Sequence, residues 1–108
     1  MIKTCEFTYE GSLDDFISAA RLYFRYNDLP VKLVPSSSSL LIFEIKKAWF
    51  TSKLYFSHGK FKDNGPWFFR LVDTKIAAFH RPFVGKLAEQ IRDLAKELKC
   101  EDVEIELA

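Results

Sequence analysis

The chain has 108 residues, a formal net charge of +1 and 48% hydrophobic residues, with eleven Phe against four Gly and four Pro. A chain of that length is one domain that buries about 60–70% of its unfolded surface, and the composition excludes a disordered or fibrous segment. No apolar run approaches the roughly 18 residues of a membrane span, and no leader-type segment opens the chain, so a cytoplasmic protein is expected.

In chain order, Ile2 to Tyr9 alternates Cys5, Phe7 and Tyr9 with Thr4, Glu6 and Thr8, which predicts a strand. Gly11 breaks it. Ser12 is placed to cap a helix reaching about Tyr26, with Leu13, Phe16, Ile17, Ala20 and Phe24 on one stripe. Asn27-Asp28 ends that helix before Pro30.

A short strand, Val31 to Val34, leads into Pro35 and a four-serine loop, Ser36 to Ser39. Strands follow at Leu40 to Lys46 and Trp49 to Ser57. Asp63-Asn64-Gly65 is a strong turn signal, because Asn and Gly tolerate positive φ. Pro66 then opens a strand, Trp67 to Val72, whose missing donor suits a sheet edge. Asp73-Thr74 reads as a second turn before Lys75 to Phe79.

Pro82 suits the first turn of a second helix, in which Val84, Leu87, Ala88, Ile91, Leu94, Ala95 and Leu98 recur at three- and four-residue steps. Last, Val103, Ile105 and Leu107 alternate with Asp102, Glu104 and Glu106, a half-buried strand with an acidic outer face.

The expected architecture is a single α+β domain over residues 1–108: a mainly antiparallel sheet with two helices packed on one face. Two helices with one apolar stripe each cover only one side of such a sheet, so the other side meets solvent or a partner. The expected core is Phe7, Phe16, Ile17, Ala20, Phe24, Phe43, Ile45, Phe50, Leu54, Leu87, Ile91, Leu94 and Leu98.

The near-neutral total conceals a strong asymmetry. Residues 46–86 hold nine basic side chains against Asp63 and Asp73, a net +7, while the flanks are acidic. The same stretch carries Trp49, Phe50, Tyr55, Phe56, Phe61, Trp67, Phe68 and Phe69. Cations between aromatics suit an anionic partner that also offers flat or apolar surface. Strand alternation puts Trp49, Thr51, Lys53 and Tyr55 on the open face, opposite Phe50, Ser52, Leu54 and Phe56. The candidate binding residues are therefore Lys46, Lys47, Trp49, Lys53, Tyr55, Lys60, Lys62 and Arg70. The same pattern also suits an ordinary solvated sheet face, since aromatics favour strands and lysines guard edges.

No nucleophile–base pair, metal set or phosphate cradle can be assembled from the spacing, so neither catalysis, a metal nor a cofactor is expected. His58 reads as a turn residue and His80 as a helix-start residue. Cys5 and Cys100 read as buried, inert thiols, with a disulfide between them as the alternative that the spacing leaves open.

The order of elements resembles the β-α-β₄-α arrangement of TATA-binding-protein repeats and of kinase-associated domains. The stretch from Phe69-Arg70-Leu71 to Phe83-Val84 carries the likeness: a strand, a short turn and a final amphipathic helix. The resemblance implies the fold and no functional residue. The functional expectation is a small binding module for an acidic protein or nucleic acid. The alternatives are an inhibitor or immunity-type protein that blocks a surface, an anionic-lipid-binding domain and, last, a small enzyme.

Overall fold

The computed structural model describes Met1–Ala108. β1 (Ile2–Tyr9) turns at Gly11 into α1 (Leu13–Tyr26). Gly11 has φ 140, and a Cβ there would lie 2.8 Å from the Tyr9 ring, so the turn needs a residue without a side chain. Ser12 caps α1 as expected, its Oγ accepting from the Asp15 amide at 3.0 Å, and Asn27 ends the helix.

Four strands follow: β2 (Val31–Ser37), β3 (Leu40–Lys47), β4 (Phe50–Lys60) and β5 (Trp67–Lys75). A 3-10 helix (Ala78–Phe83) leads into α2 (Val84–Glu97), and β6 (Glu101–Leu107) completes the chain. The six strands form one antiparallel sheet in the order β2-β3-β4-β5-β1-β6. The expected α+β fold is present, with four strands between the helices.

Both helices turn their apolar stripes to one side of the sheet. Phe16, Ile17, Ala20 and Phe24 of α1 and Val84, Ala88, Ile91, Leu94 and Ala95 of α2 are buried there. The sheet answers with Cys5, Phe7, Leu33, Leu41, Phe43, Leu54, Phe56 and Phe69. Six buried phenylalanines hold the centre: Phe16 stacks on Phe69 at 4.2 Å, Phe7 on Phe69 at 5.2 Å, and Phe43 leans on Phe56 at 4.8 Å. Offset ring pairs of this kind contribute about 0.5–1.5 kcal/mol beyond their burial.

Several expectations need correction. β5 lies inside the sheet between β4 and β1, not at an edge; Pro66 precedes the strand, so the ladder loses no donor. Asp73-Thr74 makes no turn. The pairing steps from Tyr55–Asp73 to Phe56–Leu71, leaving Val72 as a bulge that lets the strand run on to Lys75. Residues 78–83 coil into the 3-10 helix, so α2 starts at Val84, two residues after Pro82. Phe50 has the expected helix-side register but stacks on Phe79 outside the core and is 48% exposed. Leu87 and Leu98 are half-buried rather than central. β6 is an outer strand, and of its apolar residues only Ile105 is half-buried.

Candidate functional site

β3 and β4 stay paired to their last residues, Lys47 opposite Phe50, so Ala48 and Trp49 alone make the turn. Both have positive φ, 52 for Ala48 and 70 for Trp49. Two-residue turns with this twist favour Asn-Gly, because side chains in the left-handed region cost about 1 kcal/mol or more each. This hairpin instead carries a tryptophan at its tip, and that indole is fully exposed. Trp49 is thus a turn residue rather than a member of the open strand face.

An exposed aromatic cluster surrounds the tip on its helix side. Phe50 stacks on Phe79 at 5.4 Å and 16°, and the Lys47 ammonium rests 4.5 Å above the Phe83 ring. Phe79 and Phe83 are 51% and 42% exposed, although aromatics of this size are ordinarily buried in a core that has room for them. Segments 46–50 and 78–86 supply Lys46, Lys47, Arg81 and Lys86 and no carboxylate. Lys46 reaches Glu44 at 3.2 Å, with most of its side chain in solvent.

Beneath this cluster a buried polar chain ties the 3-10 helix to the hairpin. Ser52 Oγ lies 2.6 Å from His80 Nδ1, and His80 Nε2 lies 2.9 Å from the Lys47 carbonyl. A carbonyl only accepts, so Nε2 carries a hydrogen and donates to it, while Nδ1 and the Ser52 hydroxyl share the second bond. Ser52 Oγ in turn accepts from the Ala77 amide at 2.9 Å. Every member is therefore engaged, and Ser52 is 1% exposed. The arrangement is a staple that fixes the backbone of Lys47 and the direction of the 3-10 helix.

The residues expected to form one platform are divided between two ends of β4. Lys46, Lys47 and Trp49 stand at the hairpin. Lys60 and Lys62 stand about 35 Å away along the strand, at roughly 3.3 Å per residue. Lys60 lies on the helix side, 5.2 Å from the Trp67 ring, and Lys62 is in the turn beyond it. Between the two ends, the open face holds Lys53, opposite Glu44 on one side and Lys75 on the other, and half-buried Tyr55 between Ile42 and Asp73. Arg70 is paired with Glu6 at 3.1 Å. Further across the same face, Glu6 is opposite Glu104 and Thr4 opposite Glu106, so the sheet becomes acidic toward β6.

Phe79, Phe83 and Arg81 were missed as site residues, because Lys75 to Phe79 reads as a strand and Pro82 as a helix start. The Ser52–His80 contact did leave a trace in the sequence. Ser52 sits among Phe50, Leu54 and Phe56 on a core-facing register, and a buried hydroxyl requires a partner.

The thiols are quiet. Burial pushes the Cys5 thiol up to about 12 and that of Cys100 to about 11, and both are free. His58 is held below the usual imidazole range by burial. No three His, Cys, Asp or Glu side chains come together as a metal-ligating group. Compared with known proteins, the chain matches no family model, no curated protein and no solved structure.

Proposed function

We propose that this protein is a non-catalytic binding module that docks an acidic partner protein through its β3–β4 hairpin end. One observation carries the reading: a fully exposed tryptophan occupies a turn whose backbone favours glycine. Nothing in the fold uses that indole, and residues kept against local preference cluster at functional sites. Trp49, with Phe50, Phe79 and Phe83 behind it, supplies the aromatic anchors that dominate protein interfaces. Lys46, Lys47 and Arg81 supply a positive rim that steers an acidic surface toward them.

A protein partner is favoured over nucleic acid by the way the charge is divided. A phosphate backbone needs a continuous cationic track with free aromatic faces along it. Here the cations of residues 46–86 fall on both faces and both ends of the sheet, Phe50 and Phe79 cover each other, and the far strands are acidic. A compact acidic patch fits the hairpin end alone. An inhibitor that blocks a partner's surface would use the same residues.

Affinity capture from the native cell, with wild-type protein and Trp49→Ala side by side, tests the reading. The expected result is a protein retained by wild type, released by salt, insensitive to nuclease and lost with Trp49→Ala. Capture that nuclease abolishes would transfer the site to nucleic acid. An unchanged set of captured proteins with Trp49→Ala would remove the hairpin from the interface.

A further inference from the structure

Between the N-terminal half of α2 and the loop after α1 lies a cleft of about 240 Å³, on the helix side of the sheet. Its walls are apolar: Val31, Ile45, Ile76 and Leu87. Ser52 and His80 also line it, both buried and with their polar atoms bonded to each other and to the backbone. Exposed Lys47 and Lys86 stand where the cleft meets solvent, and Asp28 is the one carboxylate that lines it. Neither lysine has an ion-pair partner, since the two salt bridges of the molecule join Lys46 to Glu44 and Arg70 to Glu6. The Lys47 ammonium is parked on the Phe83 ring instead. The staple from Ser52 through His80 to the Lys47 carbonyl fixes the backbone from which that ammonium projects.

From this juxtaposition we infer that the cleft binds a small organic acid: one carboxylate on a short apolar body. The volume holds about eight water-sized groups, below the usual range for drug-sized ligands, so a body of about six carbons matches it. The apolar walls take the hydrocarbon, which gains by leaving water. The carboxylate stays at the mouth, where Lys47 and Lys86 donate charge-assisted hydrogen bonds and no buried charge is created. An amine of the same length meets two like charges, and an alcohol forgoes the charge-assisted bonds.

Hexanoate, hexan-1-ol and hexylamine titrated into the methyl-labelled protein test this by NMR. Hexanoate is expected to give saturable shifts at the Ile45, Ile76 and Leu87 methyls, and the amine none. Lys47→Gln and Lys86→Gln are expected to weaken hexanoate about tenfold each, with the fold intact because both side chains are exposed. Trp49→Ala, which removes the proposed protein anchor and does not line the cleft, is expected to leave hexanoate binding unchanged, so this variant tells the two sites apart although Lys47 serves both. The absence of saturable hexanoate shifts through the millimolar range would overturn the assignment. So would hexylamine or hexanol binding as well as hexanoate, or binding indifferent to both lysine variants.

Discussion

Ser52 Oγ and His80 Nδ1, twenty-eight positions apart in the chain, approach to 2.6 Å inside the protein and join the middle of the sheet to the 3-10 helix. Replacing Ser52 by Ala strands the imidazole nitrogen and the Ala77 amide together. Each buried polar atom left without a partner costs about 1–3 kcal/mol, so Ser52→Ala is expected to lose at least that much in urea melts. The loss should come with earlier hydrogen exchange at residues 77–83. A variant as stable as wild type would mean that water replaces the hydroxyl and that the staple is dispensable.

The hairpin tip gives a prediction with the opposite sign. Ala48 and Trp49 hold left-handed backbone that Asn-Gly adopts with less strain. The double change Ala48→Asn, Trp49→Gly is therefore expected to stabilise the fold by about 1–2 kcal/mol while abolishing partner capture. Trp49→Ala alone should change stability by less than about 0.5 kcal/mol, because the side chain has no contacts to lose. Thermal melts of both variants, set beside capture experiments, separate the structural from the functional share of this residue.

His58 makes stability depend on pH. It is buried against Trp67 at 5.7 Å and Phe69 at 6.1 Å, and its Nδ1 has no partner. Burial disfavours the imidazolium, so the folded chain holds this pKa below the usual value near 6.5. On acidification the unfolded chain takes up the proton first. Stability is therefore full above about pH 7 and falls as pH drops through about 6.5, levelling once the folded His58 also protonates. His58→Leu should flatten denaturant midpoints between about pH 7.5 and 5.5. An unchanged slope in that variant would assign the effect to other groups.

The thiols should report folding. With Cys5 raised to about 12 and Cys100 to about 11, neither forms an appreciable thiolate at neutral pH. Iodoacetamide is expected to leave the native protein unmodified over hours and to label both cysteines in denaturant, as read by mass spectrometry. Rapid native labelling of Cys5 would show that β1 opens readily.

The fold was legible where one element carries one periodicity. α2 follows from seven apolar residues at helical spacing, α1 from Ser12 and its stripe, and the acidic outer strand from the alternation after Asp102. Legibility failed where a local signal has two physical outcomes. Pro66 suits an edge strand, but it also suits the residue before an interior one, and only the pairing of β5 with β1 decides. Asp73-Thr74 reads as a turn because a one-residue bulge at Val72 leaves no mark of its own.

The candidate site was harder still. Its residue types are concentrated in one stretch, so the aromatic and basic chemistry was visible. Alternation alone assigned Trp49 to a strand, because nothing in Ala48-Trp49 announces a turn with positive φ. Phe79, Arg81 and Phe83 join Lys47 and Phe50 only through the fold of the 3-10 helix, a relationship no sequence spacing encodes.

The position of β1 also governs when the sheet can form. The strand lies between β5 and β6, so its partners arrive late: Arg70 reaches Glu6 across 64 positions, and the Glu101 carbonyl receives Thr8 across 93. On the ribosome, β2 to β4 can zip as local hairpins while Cys5 and Phe7 wait uncovered. Such distant closures slow folding, because chain entropy is lost before the contacts repay it. Until β5 and β6 emerge, β1 has neither of its sheet partners, and its backbone and apolar face are open to mispairing.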